Sequence, residues 1–173
     1  MRIATRVVVL IHVKEWHRSS NTGYLARLGI EGSEVRIHGS PHRRVETADI
    51  EAGAGSTLVL YLGRGAEPLT ARSIESLPRP WTLLVPDGNW TQAKNMMRRL
   101  AVFRQARPVR LAGPVLDLRQ LRRNIYPDRM STFPAIAQAL GILESPATEF
   151  DLLAFFRKFL ARVAPNQRRT SRH

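Results

Sequence analysis

The sequence contains no cysteine, and of its 27 Lys and Arg residues only Lys14, Lys94 and Lys158 are lysines. Without thiols there are no disulfides and no thiolate metal sites, and nothing marks an oxidising compartment. Acidic residues are scarce too. Fourteen Asp and Glu set against that total leave a formal net charge of +13. No long hydrophobic run occurs. The longest near the start, Val7 to Ile11, is too short for a signal core or a membrane span, and Lys14 and Glu15 follow it. The expectation is a cytoplasmic protein with no membrane partner. No low-complexity tract or internal repeat is present.

What remains is a chain of 173 residues, 43% hydrophobic and 24% charged, which suits one domain with a full core. The positive excess implies a polyanionic partner, of which nucleic acid is the commonest. Arginine suits that role, because its planar fork donates two hydrogen bonds and stacks on bases. The bland alternative is a solvated basic surface.

Four segments read as buried or half-buried strands: Ile3 to Ile11, Thr57 to Leu62, Trp81 to Val85 (ended by Pro86) and the short Pro108 to Leu111. Ser33 to Ile37 alternates weakly. Helical spacing appears in three places. Thr91 to Phe103 aligns Ala93, Met96, Met97, Leu100 and Phe103. Thr132 to Leu143 aligns Phe133, Ile136, Ala137, Leu140 and Leu143. The last helix carries Leu152, Phe156, Phe159 and Val163. Strands alternating with helices predict an α/β fold, a mainly parallel sheet with helices on both faces. Ligands of such sheets bind beyond the carboxyl ends of the strands, so the loops after Ile11, Leu62, Val85 and Leu111 are the ones to inspect. Residues 1–164 are expected to form the single domain, and 165–173 a flexible basic extension.

The third of these loops reads Pro86-Asp87-Gly88-Asn89-Trp90 and opens a helix. Asn89 with Gln92 makes a capping-box pattern, and Gly88 permits a tight turn or a close ligand. A carboxylate beside a helix N-terminus has two candidate roles, stabilisation by the helix dipole or proton transfer to a ligand. Asn21-Thr22-Gly23 either caps a helix through Leu28 or offers its amides to an anion. His12 and His17, like His38 and His42, lack companions for a metal site.

Asp87-Gly88-Asn89-Trp90, Gln92-Ala93 and Met96 to Leu100 resemble the signature of DTW-domain proteins, Asp-x-Thr-Trp opening a helix. Three more stretches agree in order: His12 to Glu15 leading to Asn21-Thr22-Gly23-Tyr24-Leu25-Ala26; Leu60-Tyr61-Leu62 with Ala66, Pro68 and Leu69; and Arg122-Arg123 followed by Ser131-Thr132-Phe133 and Ala135-Ile136-Ala137. The resemblance covers residues 7 to 145. Asn89 stands where the signature has threonine, Pro134 where a glutamate is usual, and the cysteines that many relatives use for zinc are missing.

The resemblance implies a SPOUT-like fold with a knotted C-terminal half that binds S-adenosyl-L-methionine, and no metal here. It implies transfer of the 3-amino-3-carboxypropyl group to N3 of a uridine in tRNA, releasing methylthioadenosine. Asp87 is the implied base. Leu62, Gly63, Pro86, Gly88, Asn89, Trp90, Leu111, Ser131 and Thr132 are the implied cofactor contacts, and a core position is the alternative for Trp90. His17, Arg18, Lys94, Arg98, Arg122 and Arg123 are the implied RNA contacts; Lys94 and Arg98, four residues apart, share a helix face. The residues between 98 and 129 also include Arg99, Arg104, Arg107, Arg110, Arg119 and Arg129, opposed by Asp117 and Asp128. Two rival readings are a SPOUT-type RNA methyltransferase and a non-catalytic RNA-binding relic of the family.

Overall fold

The computed structural model describes residues 1–18, 21–52, 55–112 and 131–170, the last eight as backbone only. Its strands are β1 (Arg6–His12), β2 (Glu34–His38), β3 (Ser56–Leu60), β4 (Glu67–Leu69), β5 (Trp81–Asp87) and β6 (Arg107–Leu111). They form a six-stranded sheet in the order β2-β1-β5-β3-β6-β4, with every pairing parallel. All carboxyl ends therefore share one edge, and β5 lies between β1 and β3.

Side chains of a strand alternate between faces, and the interior strands β1 and β5 use both. Val7, Val9 and Ile11 of β1 join Leu83 and Val85 of β5 in one core. Val8 and Leu10 join Leu84 in a second, on the opposite face. The first core is covered by α2 (Ala26–Gly29), α4 (Ala71–Ile74), α7 (Thr132–Leu143) and α8 (Pro146–Thr170). The second is covered by α3 (Ala48–Glu51), α5 (Trp90–Arg99) and α6 (Ala101–Gln105). Burial on both sides is why β1 reads as an unbroken apolar run. Phe103, Phe133, Phe156 and Leu10 are among the largest fully buried side chains, each worth about 1.5–3 kcal/mol of transfer free energy.

Three local expectations change. The strand from Trp81 continues through Pro86 to Asp87, with Leu10 opposite Pro86 and Ile11 opposite Asp87. Pairing of β5 with β3 reaches only Leu84, so at Pro86 one side of the strand has no ladder partner to lose and a missing N–H is tolerated. The helix expected from Thr91 to Phe103 is broken at Leu100, which is extended (φ −91°, ψ 128°) and separates α5 from α6. In one straight helix Val102 would sit about a third of a turn off the stripe made by Met96. The break lets Val102 and Phe103 both reach the second core. Pro68 and Leu69, outside the strands expected from the sequence, belong to the three-residue edge strand β4. A helix begins at Thr132 and ends at Leu143 as the spacing predicts, and α8 runs on to Thr170.

The path from β6 to α7, 113–130, lies outside the described residues. Arg119, Arg122, Arg123, Arg129 and any knot drawn by that path lie there with it. Among the described residues no helix is long and apolar enough to cross a membrane.

Candidate active site

Asp87 is the last residue of β5, and it is only 8% exposed. Two side chains hold its carboxylate from different parts of the chain. The Thr132 hydroxyl donates to Oδ1 at 2.6 Å, and Asn21 Nδ2 donates to Oδ2 at 2.8 Å. Asn21 is fixed in turn, because its Oδ1 accepts from the Gly23 N–H at 2.9 Å. Thr22 and Ser131 share a hydrogen bond of 2.6 Å between their hydroxyls, and Thr22 Oγ1 accepts from the Phe133 N–H at 3.3 Å. The segment Asn21-Thr22-Gly23 thus bridges the end of β5 and the start of α7.

Gly23 is required by this arrangement. A Cβ built there would collide with Asp87 Oδ2 and lie 3.0 Å from its Cγ and 3.2 Å from Val9 Cγ1. Burial pushes the Asp87 carboxyl above its ordinary value, against the lowering effect of Thr132 and Asn21 and with help from the charge of Glu15. Glu15, in the short α1 (Val13–Trp16), is 7% exposed. Its Oε2 pairs with Arg18 at 3.2 Å, while its Oε1 is buried with no hydrogen-bond partner among the described residues.

His12 closes β1, and its Nδ1 accepts from the Lys14 N–H at 3.2 Å, which leaves the ring proton on Nε2 when the imidazole is neutral. Its ring meets that of His38 edge-on, with centroids 6.2 Å apart. Burial lowers both imidazoles first; the charge of Lys14 then adds for His12, and those of His12 and Arg99 for His38. Among the described residues no group of three or more His, Cys, Asp or Glu could hold a metal.

After β5 the turn runs through Gly88 into α5. Asn89 Oδ1 accepts from the Gln92 N–H at 2.9 Å, and Gln92 Oε1 from the Asn89 N–H at 2.6 Å. This is the capping box that the sequence predicts. Trp90 is 58% exposed, so the alternative of a core tryptophan is wrong; the helix turns its first residue outward. The Trp90 ring lies parallel to that of Tyr61, with centroids 5.7 Å apart and 7° between planes. Leu62 is 50% exposed, and a Cβ on Gly63 would strike the Tyr61 ring, 2.7 Å from its hydroxyl.

Of the expected cofactor contacts, Leu62, Gly63, Gly88, Asn89, Trp90, Ser131 and Thr132 lie at strand ends or helix starts. Pro86 is inside β5, and Leu111 packs its side chain in the core. His17, Arg18, Lys94 and Arg98 are exposed. Arg122 and Arg123 are outside the described residues. Sequence reasoning missed three participants. Asn21 was read for capping, for anion binding and as part of a motif, Glu15 as part of a motif, and Tyr61 as part of a buried strand and of a motif. No local pattern ties residue 21 to residue 87.

A model described as the DTW domain matches residues 1–164. Similar proteins include a tRNA-uridine aminocarboxypropyltransferase 2 of Drosophila melanogaster, 29% identical over 148 residues that cover 83% of this chain and 58% of that protein. Another, of the same description from Mus musculus, is 32% identical over 148 residues, covering 83% of this chain and 49% of its own. The chain spans about half the length of these curated relatives. No solved structure matches it.

Proposed function

The chain belongs to the DTW-domain family, and from that premise we propose that it transfers the 3-amino-3-carboxypropyl group of S-adenosylmethionine to N3 of a uridine in tRNA. The observation that carries this reading is the convergence of Asn21, Thr132 and Asp87 from three separate segments onto one buried carboxylate at the carboxyl edge of a parallel sheet. The names of the relatives, tRNA-uridine aminocarboxypropyltransferases, supply the reaction.

The donor is cationic at its sulfonium and its amino group, and the residues present suit such a ligand. Asp87 and Glu15 are two buried carboxylates, and the charge of Glu15 helps raise the Asp87 carboxyl. Among the described residues Glu15 Oε1 is a buried acceptor without a donor, a state that usually carries an explanation. An ammonium would satisfy it. Glu15 would hold the amino end, with the 62–63 and 88–89 loops and the Ser131 and Thr132 hydroxyls around the remainder. When bound, S-adenosylmethionine supplies a methylene carbon beside the sulfonium, whose C–S bond breaks with both electrons leaving on sulfur as methylthioadenosine.

The work of the protein is positioning and proton transfer. Asp87 takes the N3 proton of the uridine as the N3–carbon bond forms. Asn21 and Thr132 fix the direction of its remaining lone pairs. Its raised proton affinity makes it a stronger base than an ordinary aspartate, and its burial limits competition from water.

Mass spectrometry of nucleosides from unmodified tRNA incubated with the protein and S-adenosylmethionine tests the reading. The expected product is an aminocarboxypropyl uridine with methylthioadenosine in solution. Methylated nucleosides with S-adenosylhomocysteine would overturn it.

A further inference from the structure

Trp90 heads a stripe on α5. Lys94 and Arg98 follow it at one-turn intervals on the same face, about 6 Å apart along the axis. All three are exposed, and the α5 sequence contains no acidic residue. No ion pair among the described residues engages Lys94 or Arg98. Behind Trp90 the parallel ring of Tyr61 supports one face, and Gly63 leaves room for that ring to lie there. An indole more than half exposed, braced from one side and followed by unpaired cations, is an unusual surface unless something covers it.

We propose that the Tyr61–Trp90 stack is a platform for a nucleobase of the RNA substrate, and that Lys94 and Arg98 grip the phosphates that follow that base. The proposal rests on the tRNA reading above and assigns the free face of Trp90 to RNA instead of to the cofactor. The cations decide between these occupants. S-adenosylmethionine carries one carboxylate, next to the amino group assigned to Glu15, and no phosphate, so it offers no pair of anions to two cations about 6 Å apart; a strand stacked by one base presents successive phosphates onward from it. Stacking is tolerant of base identity, and charged contacts to the backbone are tolerant of sequence. The platform therefore sets where the strand lies relative to Asp87, three residues away in the chain, and leaves the choice of tRNA to other contacts.

The test is equilibrium binding of a short fluorescein-labelled oligouridylate, and of an abasic sugar-phosphate chain of the same length, to the full chain. Calorimetry with S-adenosylmethionine runs in parallel. The wild type is expected to bind the oligouridylate more tightly than the abasic chain. Trp90→Ala should weaken oligouridylate binding about 5- to 150-fold, leave the abasic chain unchanged and leave S-adenosylmethionine binding within about twofold. Trp90→Phe should keep most of the affinity. Lys94→Gln with Arg98→Gln should weaken both chains and reduce the salt slope by about 1.4. The proposal is overturned if the wild type does not distinguish the two chains, or if Trp90→Ala weakens S-adenosylmethionine binding and spares the oligouridylate. Neither result touches the transfer reaction, which is read separately from the tRNA adduct; conversely, a platform that behaves as described in a protein that forms no adduct would leave this proposal standing and remove the transferase reading.

Discussion

Asp87 is where burial and hydrogen bonding oppose each other most directly. Burial favours its protonated form, whereas the donors Thr132 and Asn21 favour the ionised one, and burial prevails. A carboxyl with a folded value above its unfolded one, about 3.9, stabilises the fold fully below that unfolded value. This contribution is lost as pH rises through the raised folded value. The stability of the wild type relative to Asp87→Asn is therefore expected to fall as pH rises from about 4 toward neutrality, read as urea midpoints at matched pH. A pH-independent difference would show that the carboxyl is not perturbed. Gly23→Ala places a methyl group against the same carboxylate and is expected to destabilise by about 1–3 kcal/mol, measured by thermal or urea unfolding. A neutral substitution would mean that Asp87 can withdraw freely. None of this was readable at residue 23, because the partner that makes glycine necessary is 64 positions away in the sequence. What could be read was the capping pair Asn89 and Gln92, since both members are within one turn.

At the scale of elements, legibility followed the range of the interaction. The apolar stripe from Phe133 to Leu143 was sufficient to place α7, because helix periodicity is local and its whole inner face is buried. The break at Leu100 was not visible, since it serves two packing contacts with the second core and not the propensity of Leu100 itself. Pro86 was misread for a related reason: whether a proline ends a strand depends on which neighbour needs its N–H, and that is a property of the sheet. Pro134 is buried as the third residue of α7, where a missing N–H has no intrahelical acceptor to disappoint, so the helix survives the loss of the family's glutamate. The departure at Asn89 has a similar reading. Asn89→Ala is expected to cost about 1 kcal/mol through the lost cap, whereas Asn89→Thr, which restores the signature, should change stability by only a few tenths. Urea denaturation of both variants distinguishes a capping role from a merely exposed position, in which case the two would be equal.

For the molecule as a whole, an all-parallel sheet brings every strand's carboxyl end to one edge, and that edge carries Asp87, the Asn21–Gly23 bridge and the Tyr61–Trp90 pair. The composition made a basic partner surface legible from the first count of charges, but it could not say which arginines act. Some are committed to the fold: Arg6 and Arg36 bind Glu34 and Asp49 and tie β1 and β2 to α3. If the free ones engage about six phosphates, tRNA affinity should drop about a thousandfold between roughly 50 and 200 mM salt; a flat salt response would contradict electrostatic capture. The central claim, however, is that the carboxylate at the end of β5 removes the uridine proton. It is tested most directly by the single-turnover rate of adduct formation on tRNA by Asp87→Asn, with S-adenosylmethionine affinity measured on the same preparation. The account expects a loss of about 10²–10⁴-fold in rate with affinity within about twofold, and a variant that transfers at the wild-type rate would contradict it.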